Sequence, residues 1–260
     1  MVNIKINGIE YSVEEGTTIL EACRANGIRI PTLCWLKDTN AIGACRICVV
    51  EMTGARSLVA SCVYPLSKFD EGKNILTHSP AVLESRKMTL QLILSNHNMD
   101  CLACSRSGNC ELQQLCKELG VDNSTYFEGV KNQYDIDLSA KHMYRDNNKC
   151  ILCRRCIAAC GITQEIGVIG ANNRGFNTSV ACAFEMPLAE TACVSCGQCI
   201  TACPTGALSE KDDTDKVWEA LADPEKVVVV QTAPAVRASL GEAFGYEMGT
   251  PVEGKMVAAL

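Results

Sequence analysis

At 260 residues the chain has room for two or three small domains, yet aromatics make up only 5% of it while 18 residues are cysteine. Cores so small usually need disulfides or metals as staples. The net charge of -6 argues against nucleic acid, which proteins grip with a surplus of Lys and Arg. No apolar run approaches the roughly 20 residues that span a bilayer, and the opening MVNIKINGIEYSVEEGTT lacks the basic start and apolar stretch of a signal peptide. The expected location is therefore the cytoplasm, where dense cysteine means metal rather than disulfide.

Alternation over residues 2–6 and 10–13, about the turn Asn7-Gly8, predicts a hairpin. A helix follows over about 18–26, with Thr17 or Thr18 as N-cap and Gly27 as stop. Residues 81–94, AVLESRKMTLQLIL, have helical periodicity, and a second helix is expected over 110–119. Between them the polar loop HNMDCLACSRSGNC, residues 97–110, holds three cysteines. From about 126 to 211 the chain echoes itself: CILCRRCIAAC from 150 is answered by CVSCGQCITAC from 193, the mark of a duplicated unit. The charged SEKDDTDK (209–216) reads as turn-like, a short helix is expected around 217–221, and VVVVQ (227–231) reads as a buried strand. The last residues, GKMVAAL, read as the middle of a helix without a stop signal, so the chain is expected to end inside a domain.

The repeated C-x2-C-x2-C-x3-C, ending once in Cys203-Pro204, has the spacing of a bacterial ferredoxin, in which three cysteines of one run hold a cubane and the fourth ligates the other cluster. It predicts one 4Fe-4S cluster on Cys150, Cys153, Cys156 and Cys203, and another on Cys160, Cys193, Cys196 and Cys199. The first run ends in Cys160-Gly161 where the simple pattern has proline, and the insertion 161–192 is expected to carry elements of its own. Paired zinc sites are the competing reading, but three evenly spaced cysteines and a fourth, twice over, fit tetrahedral zinc poorly. Upstream, Cys34, Cys45, Cys48 and Cys62 are similar to a plant-type 2Fe-2S ferredoxin, with a first gap of ten residues instead of four. The small residues of Gly43-Ala44-Cys45-Arg46 would bring backbone N–H groups to the sulfurs and help set the potential. For the loop of Cys101, Cys104 and Cys110 the fourth donor is open among His97, Cys116 and Asp100. Imidazole replaces thiolate on iron in Rieske centres, and spacing leaves His97 and Cys116 comparable. Cys23 is expected as core filling, Cys116 and Cys182 as structural, His78 and His142 as unligated, and Lys149, Arg154 and Arg155 as ordinary solvated charges.

Taken together, the four sites resemble the N-terminal relay region of the iron-only (FeFe) hydrogenases and the related large iron-sulfur subunit of NADH dehydrogenase. HNMDCLACSRSGNCELQ resembles the family's His-x3-Cys-x2-Cys-x5-Cys site, and that resemblance implies that His97 joins Cys101, Cys104 and Cys110 on a 4Fe-4S cluster. The tail VVVVQTAPAVRASLGEAFG, with NRGF (173–176) and AFEMPLAET, resembles the hydrogenase side, and no GxGxxG supports a nucleotide site. The resemblance implies an α+β chain with a plant-type 2Fe-2S ferredoxin (β-grasp) module over 1–78. A small helical 4Fe-4S module with one histidine and three cysteines as donors would occupy 79–125, and a bacterial-type double 4Fe-4S ferredoxin module 126–212. The start of an α/β catalytic domain would follow over 213–260. The resemblance further implies one 2Fe-2S and three 4Fe-4S clusters relaying electrons to or from an H-cluster held by cysteines further downstream, for H2 oxidation and proton reduction. No catalytic residue is expected within 1–260. Partners implied are a flavin- and NAD(P)-binding subunit, a small 2Fe-2S subunit, and possible exchange with ferredoxin, as in electron-bifurcating hydrogenases. The alternative is a naturally short relay subunit of an NAD-linked oxidoreductase or bifurcating transhydrogenase without an H-cluster.

Overall fold

The computed structural model describes residues 1–121, 127 and 129–260, and the chain divides into two compact units, residues 1–211 and 212–260. The module boundary expected at 125/126 lies outside the described residues. Among those described, no helix is long and apolar enough to cross a membrane.

The first unit opens with an antiparallel hairpin of β1 (Val2–Ile6) and β2 (Ile9–Val13). The two-residue period of a strand puts Val2, Ile4 and Ile6 on one face, and all three are buried. Helix α1 (Ile19–Ala25) starts at Thr18, whose hydroxyl accepts from the Glu21 N–H while the Glu21 carboxylate accepts the Thr18 N–H. This reciprocal capping satisfies donors that the first turn leaves open. The apolar face of α1, including Cys23, packs on the sheet. Burial pushes the Cys23 thiol up to about 11, in keeping with a core filler. Strands β3 (Val49–Met52), β4 (Val59–Ala60) and β5 (Asn74–Leu76) complete a mixed sheet of order β2-β1-β5-β3-β4, with β1 and β5 parallel. The connection from α1 to β3 carries Cys34, Cys45 and Cys48, and Cys62 follows β4.

Asp70 pins the segment that returns to β5. Burial opposes its ionisation, but the Lys73 ammonium, the Ser67 N–H and the Tyr64 hydroxyl outweigh that and hold the carboxyl below its ordinary range. A depressed carboxylate stabilises the fold above its unfolded pKa, and that contribution is lost as pH falls through the folded one. Asp70→Asn is therefore expected to cost ~1–2 kcal/mol at neutral pH. Thermal unfolding measured against pH should show the gap from wild type closing below about pH 4.

Helix α2 (Pro80–Ser95) begins at Ser79, whose hydroxyl accepts the Val82 N–H, with Pro80 in the first turn. It buries Val82, Arg86, Leu90 and Leu94, spaced by four along one stripe. Helix α3 (Glu111–Leu119) follows Cys110 and buries Leu112 and Leu115. Leu33 and Ile47, from the cysteine-bearing loop before β3, share one core with Leu90, Leu94, Leu112 and Leu115. The cysteine loop of the sheet module and the two helices therefore pack as one body.

The remainder of the first unit holds β6 (Met143–Arg145), α4 (Arg155–Ala158), β7 (Gly170–Asn172), β8 (Ser179–Ala181), α5 (Gln198–Ala202) and β9 (Leu208–Glu210). Strands β6 and β9 pair antiparallel, as do β7 and β8. The insertion 161–192 thus carries its own hairpin.

The second unit contains α6 (Thr214–Ala222), α7 (Pro234–Ala243) and α8 (Glu253–Ala259). Several sequence expectations need correction. VVVVQ forms no strand, and Val227 is 91% exposed. A strand needs a hydrogen-bonded neighbour, and the described residues of this unit contain none. SEKDDTDK is not one turn: Ser209 and Glu210 pair in β9, and Thr214–Lys216 are already helical. The helix expected around 217–221 accordingly starts three residues earlier.

Candidate metal centres

In the sheet module the four thiols meet directly. The Cys34 sulfur contacts the Cys45 and Cys62 thiols and faces the backbone N–H groups of Ala44 and Cys45, while Cys48 contacts Cys62. The Cys45 and Cys62 thiols are pushed up as they donate, and Cys34 and Cys48 are held down, Cys48 to about 6. Four thiols this close cannot ionise independently; a multivalent cation would release all four protons.

The duplicated runs wind in matching loops. Leu152 and Arg154 in the first, Ser195 and Gly197 in the second, flank the second cysteine of each run, and all four have left-handed backbones. Three of these are non-glycine residues, a strain of the kind held at functional sites. The winding turns each run inward, and the Leu152 N–H donates to the Cys150 sulfur at 3.4 Å. Cys150, Cys153, Cys156 and Cys203 line one cavity. Cys160, Cys193, Cys196 and Cys199 line another, together with His142. Burial drives the Cys150 thiol up to about 11, Cys153 to about 12 and Cys199 to about 11, and carries Cys156 well above its ordinary value. Of the second set, Cys196 alone is exposed.

His97, Cys101 and Cys110 line a cavity of about 490 Å³, and so does Cys116. Cys104 does not line it; its sulfur points to Gly206, where an added Cβ would stand 2.5 Å away. His97 is buried, and its Nδ1 has no hydrogen-bond partner. Burial, reinforced by Lys149, lowers its pKa to about 4, so the ring is neutral near pH 7. Cys116 is pushed up to about 11 by burial and by Cys110 and Cys101. Asp100 is exposed and does not line the cavity. His78 bonds to the Thr77 hydroxyl through Nδ1.

Side chains between the sites tie them together. Asn40 donates from Nδ2 to the carbonyls of both Cys34 and Cys153, at 2.6 and 3.1 Å. The Pro204 carbonyl accepts from the Cys110 thiol at 3.6 Å and from the Glu111 N–H, and Arg106 donates to the Cys203 carbonyl. Arg155 and Lys149 are not solvated charges: Arg155 is buried and clasps Glu111 with two bonds of 2.6 and 3.0 Å, and Lys149 pairs with Asp146. Arg154 stays exposed as the sequence implied. Sequence reasoning missed Asn40, Glu111 and the buried cation Arg86, because each acts through a partner distant along the chain. Glu111→Ala would leave Arg155 buried without its anion. Because Glu111 itself is partly exposed, the expected loss is ~1–3 kcal/mol, measured by anaerobic denaturant unfolding.

Among the described residues, no three His, Cys, Asp or Glu side chains converge as around a single metal ion. The cysteines ring cavities or one another instead. Sulfur-rich donor sets with an orphaned buried imidazole nitrogen fit iron-sulfur clusters, whose irons prefer thiolate and accept imidazole.

Four families match in succession. Residues 1–79 match the 2Fe-2S iron-sulfur cluster binding domain, 86–125 the NADH-ubiquinone oxidoreductase-G iron-sulfur binding region, 149–207 the 4Fe-4S dicluster domain, and 226–260 the iron only hydrogenase large subunit, C-terminal domain. Fold and sites together define an iron-sulfur protein of mixed α/β structure with ferredoxin-like domains. The chain is 49% identical over 265 residues to the NADP-reducing hydrogenase subunit HndD of Solidesulfovibrio fructosivorans, matching 100% of this chain and 45% of that protein. It is 39% identical over 262 residues to iron hydrogenase 1 of Clostridium pasteurianum, again with 100% and 45% coverage. A chain in the crystal structure of the NAD+-reducing [NiFe]-hydrogenase in its H2-reduced state superposes with a TM-score of 0.74 at 30% identity, covering 81% of this chain and 87% of that one. The chain belongs to the hydrogenase iron-sulfur subunit family, and its counterpart in the iron-only enzymes is their N-terminal iron-sulfur region. It spans about half the length of the curated relatives it matches.

Proposed function

We propose that the chain is the electron relay of an iron-only hydrogenase, passing electrons between a flavin- and NAD(P)-binding partner subunit, or ferredoxin, and an H-cluster that oxidises H2 and reduces protons. In this reading Cys34, Cys45, Cys48 and Cys62 hold a 2Fe-2S cluster in a plant-type, β-grasp module over 1–78. His97, Cys101, Cys104 and Cys110 hold a 4Fe-4S cluster in 79–125. Cys150, Cys153, Cys156 and Cys203, with Cys160, Cys193, Cys196 and Cys199, hold two more in the bacterial-type module over 126–212. Residues 213–260 begin the H-cluster domain, no residue of 1–260 is assigned a catalytic role, and the complex works in the cytoplasm, with a small 2Fe-2S subunit among its partners. When bound, such clusters exchange single electrons at potentials set by ligand, burial and hydrogen bonds.

The observation that carries this reading is the coupling of four donor sets within one compact unit. Asn40 joins the Cys34 and Cys153 carbonyls, the Cys110 sulfur meets the Pro204 carbonyl beside Cys203, and Cys160 and Cys203 each leave their own run's cavity to line or border the other donor set. These contacts tie the donor sets into one body, as an electron relay needs and an isolated structural metal does not. The match of 226–260 to the hydrogenase family favours this reading over a relay without an H-cluster. Anaerobic iron and sulfide analysis of the purified chain, with EPR of the reduced protein, tests it. Roughly 14 irons and 14 sulfides per chain are expected; a folded, colourless, zinc-bearing protein would refute it.

A further inference from the structure

Arg86 occupies a position on the buried stripe of α2 that its neighbours Val82, Leu90 and Leu94 fill with aliphatic groups. Its side chain is among the largest fully buried in the protein, with the residue only 1% exposed. Nη2 donates to the Val49 carbonyl at 2.8 Å, while Nε has no partner. Among the described residues no carboxylate lies within ion-pair distance. A guanidinium taken out of water without a counter-charge is strongly unfavourable, and fixed positions of that kind are held by an anion.

The anion is close at hand. Val49 follows Cys48, and the Cys48 sulfur partly offsets the burial that lowers the Arg86 pKa to about 10. At that value the side chain stays protonated near neutral pH. Four thiolates around two ferric irons and two sulfides sum to about -2, and to about -3 once one electron is added. The other cation that senses Cys48, Arg24, is solvent-exposed and stacked on the Trp35 ring at 4.2 Å, where water screens it. His78, also near Arg86, is lowered by burial and by the arginine itself, and supplies no positive charge at neutral pH.

We propose that Arg86 is the buried counter-charge of the centre formed by Cys34, Cys45, Cys48 and Cys62, favouring its reduced state and so raising its reduction potential. The inference rests on the 2Fe-2S assignment above. Arg86 is a positioning residue: it ligates nothing, keeps its proton, and acts when the centre takes one electron from its donor, with no bond made or broken. A fixed charge in a dry, low-dielectric place acts far more strongly than one in water. That location explains why the cation sits inside the stripe rather than on the surface.

The test uses the full chain, purified anaerobically, as wild type and as Arg86→Met, Arg86→Gln and Arg86→Lys. Dithionite titration with mediators, followed by EPR, reads each cluster's midpoint, and iron and sulfide analysis reads occupancy. Met and Gln should lower the 2Fe-2S midpoint by at least ~59 mV, a tenfold change in the one-electron equilibrium. Lys should lie near wild type, and the 4Fe-4S midpoints should not move. Loss of the 2Fe-2S cluster in Met and Gln with retention in Lys would equally support the required charge. The proposal fails if Met keeps the wild-type midpoint, if Lys shifts as far as Met, if all clusters shift together, or if all three variants lose the cluster. A wild-type protein with no 2Fe-2S signal would overturn the cluster assignment itself, a result distinct from a normal signal whose midpoint ignores Arg86.

Discussion

Replacing His97 with alanine is expected to remove one cubane, lowering the iron content by about four atoms per chain, whereas His97→Cys should keep the cubane at a lower potential. The imidazole is buried, its Nδ1 bonds to nothing, and burial with Lys149 keeps the ring neutral near pH 7, so a lone pair is available without removing a proton. A thiolate there would add a negative charge beside Cys101 and Cys110, making the next electron harder to add. EPR of the reduced protein, with iron analysis, checks both variants. An unchanged spectrum and iron content in His97→Ala would rule out the imidazole and turn attention to Cys116, which lines the same cavity.

Gly206→Ala should produce a comparably specific loss at the same centre. A Cβ at 206 would sit 2.5 Å from the Cys104 sulfur, with Lys149 and Arg106 side-chain carbons at 3.6 and 3.7 Å closing the other directions. In the metal-free chain the thiol can swing aside, because it ends a short, rotatable side chain. A sulfur bound to iron has no such freedom. The expected cost is ~1–3 kcal/mol, borne by the loaded state. Iron should be lost at the His97 site while the 2Fe-2S spectrum and the unfolding midpoint of the iron-free chain stay near wild type. Equal destabilisation of both forms would show that Gly206 serves general packing instead.

Much of the local structure was legible because its causes are local. Asn7-Gly8 marked the first hairpin, Thr18 with Glu21 marked the start of α1, and the two echoing runs marked loops of one winding, down to matching left-handed residues. The segment VVVVQ misled because its composition reports a wish for burial, while a strand also needs a neighbour. Arg155 read as a surface charge because Glu111, its partner, lies far upstream in another module. Arg86 left a trace, a charge in register with Val82, Leu90 and Leu94, but periodicity alone does not say what lies opposite.

Spacing by itself grouped the cysteines into proposed sets, since a short loop can enclose only so much, and the structure brings the members of three of those sets into common cavities or contacts. The third site was less complete: His97, Cys101 and Cys110 share a cavity with Cys116, while Cys104 faces Gly206. Only the tertiary structure decided how the sites adjoin, through Asn40, Pro204 and the Arg155–Glu111 clasp, and where a buried cation stands, against the Val49 carbonyl. Spacing along a chain constrains what one loop can enclose. Contacts between loops, and the desolvation that gives a charge its strength, exist only once distant segments share one core.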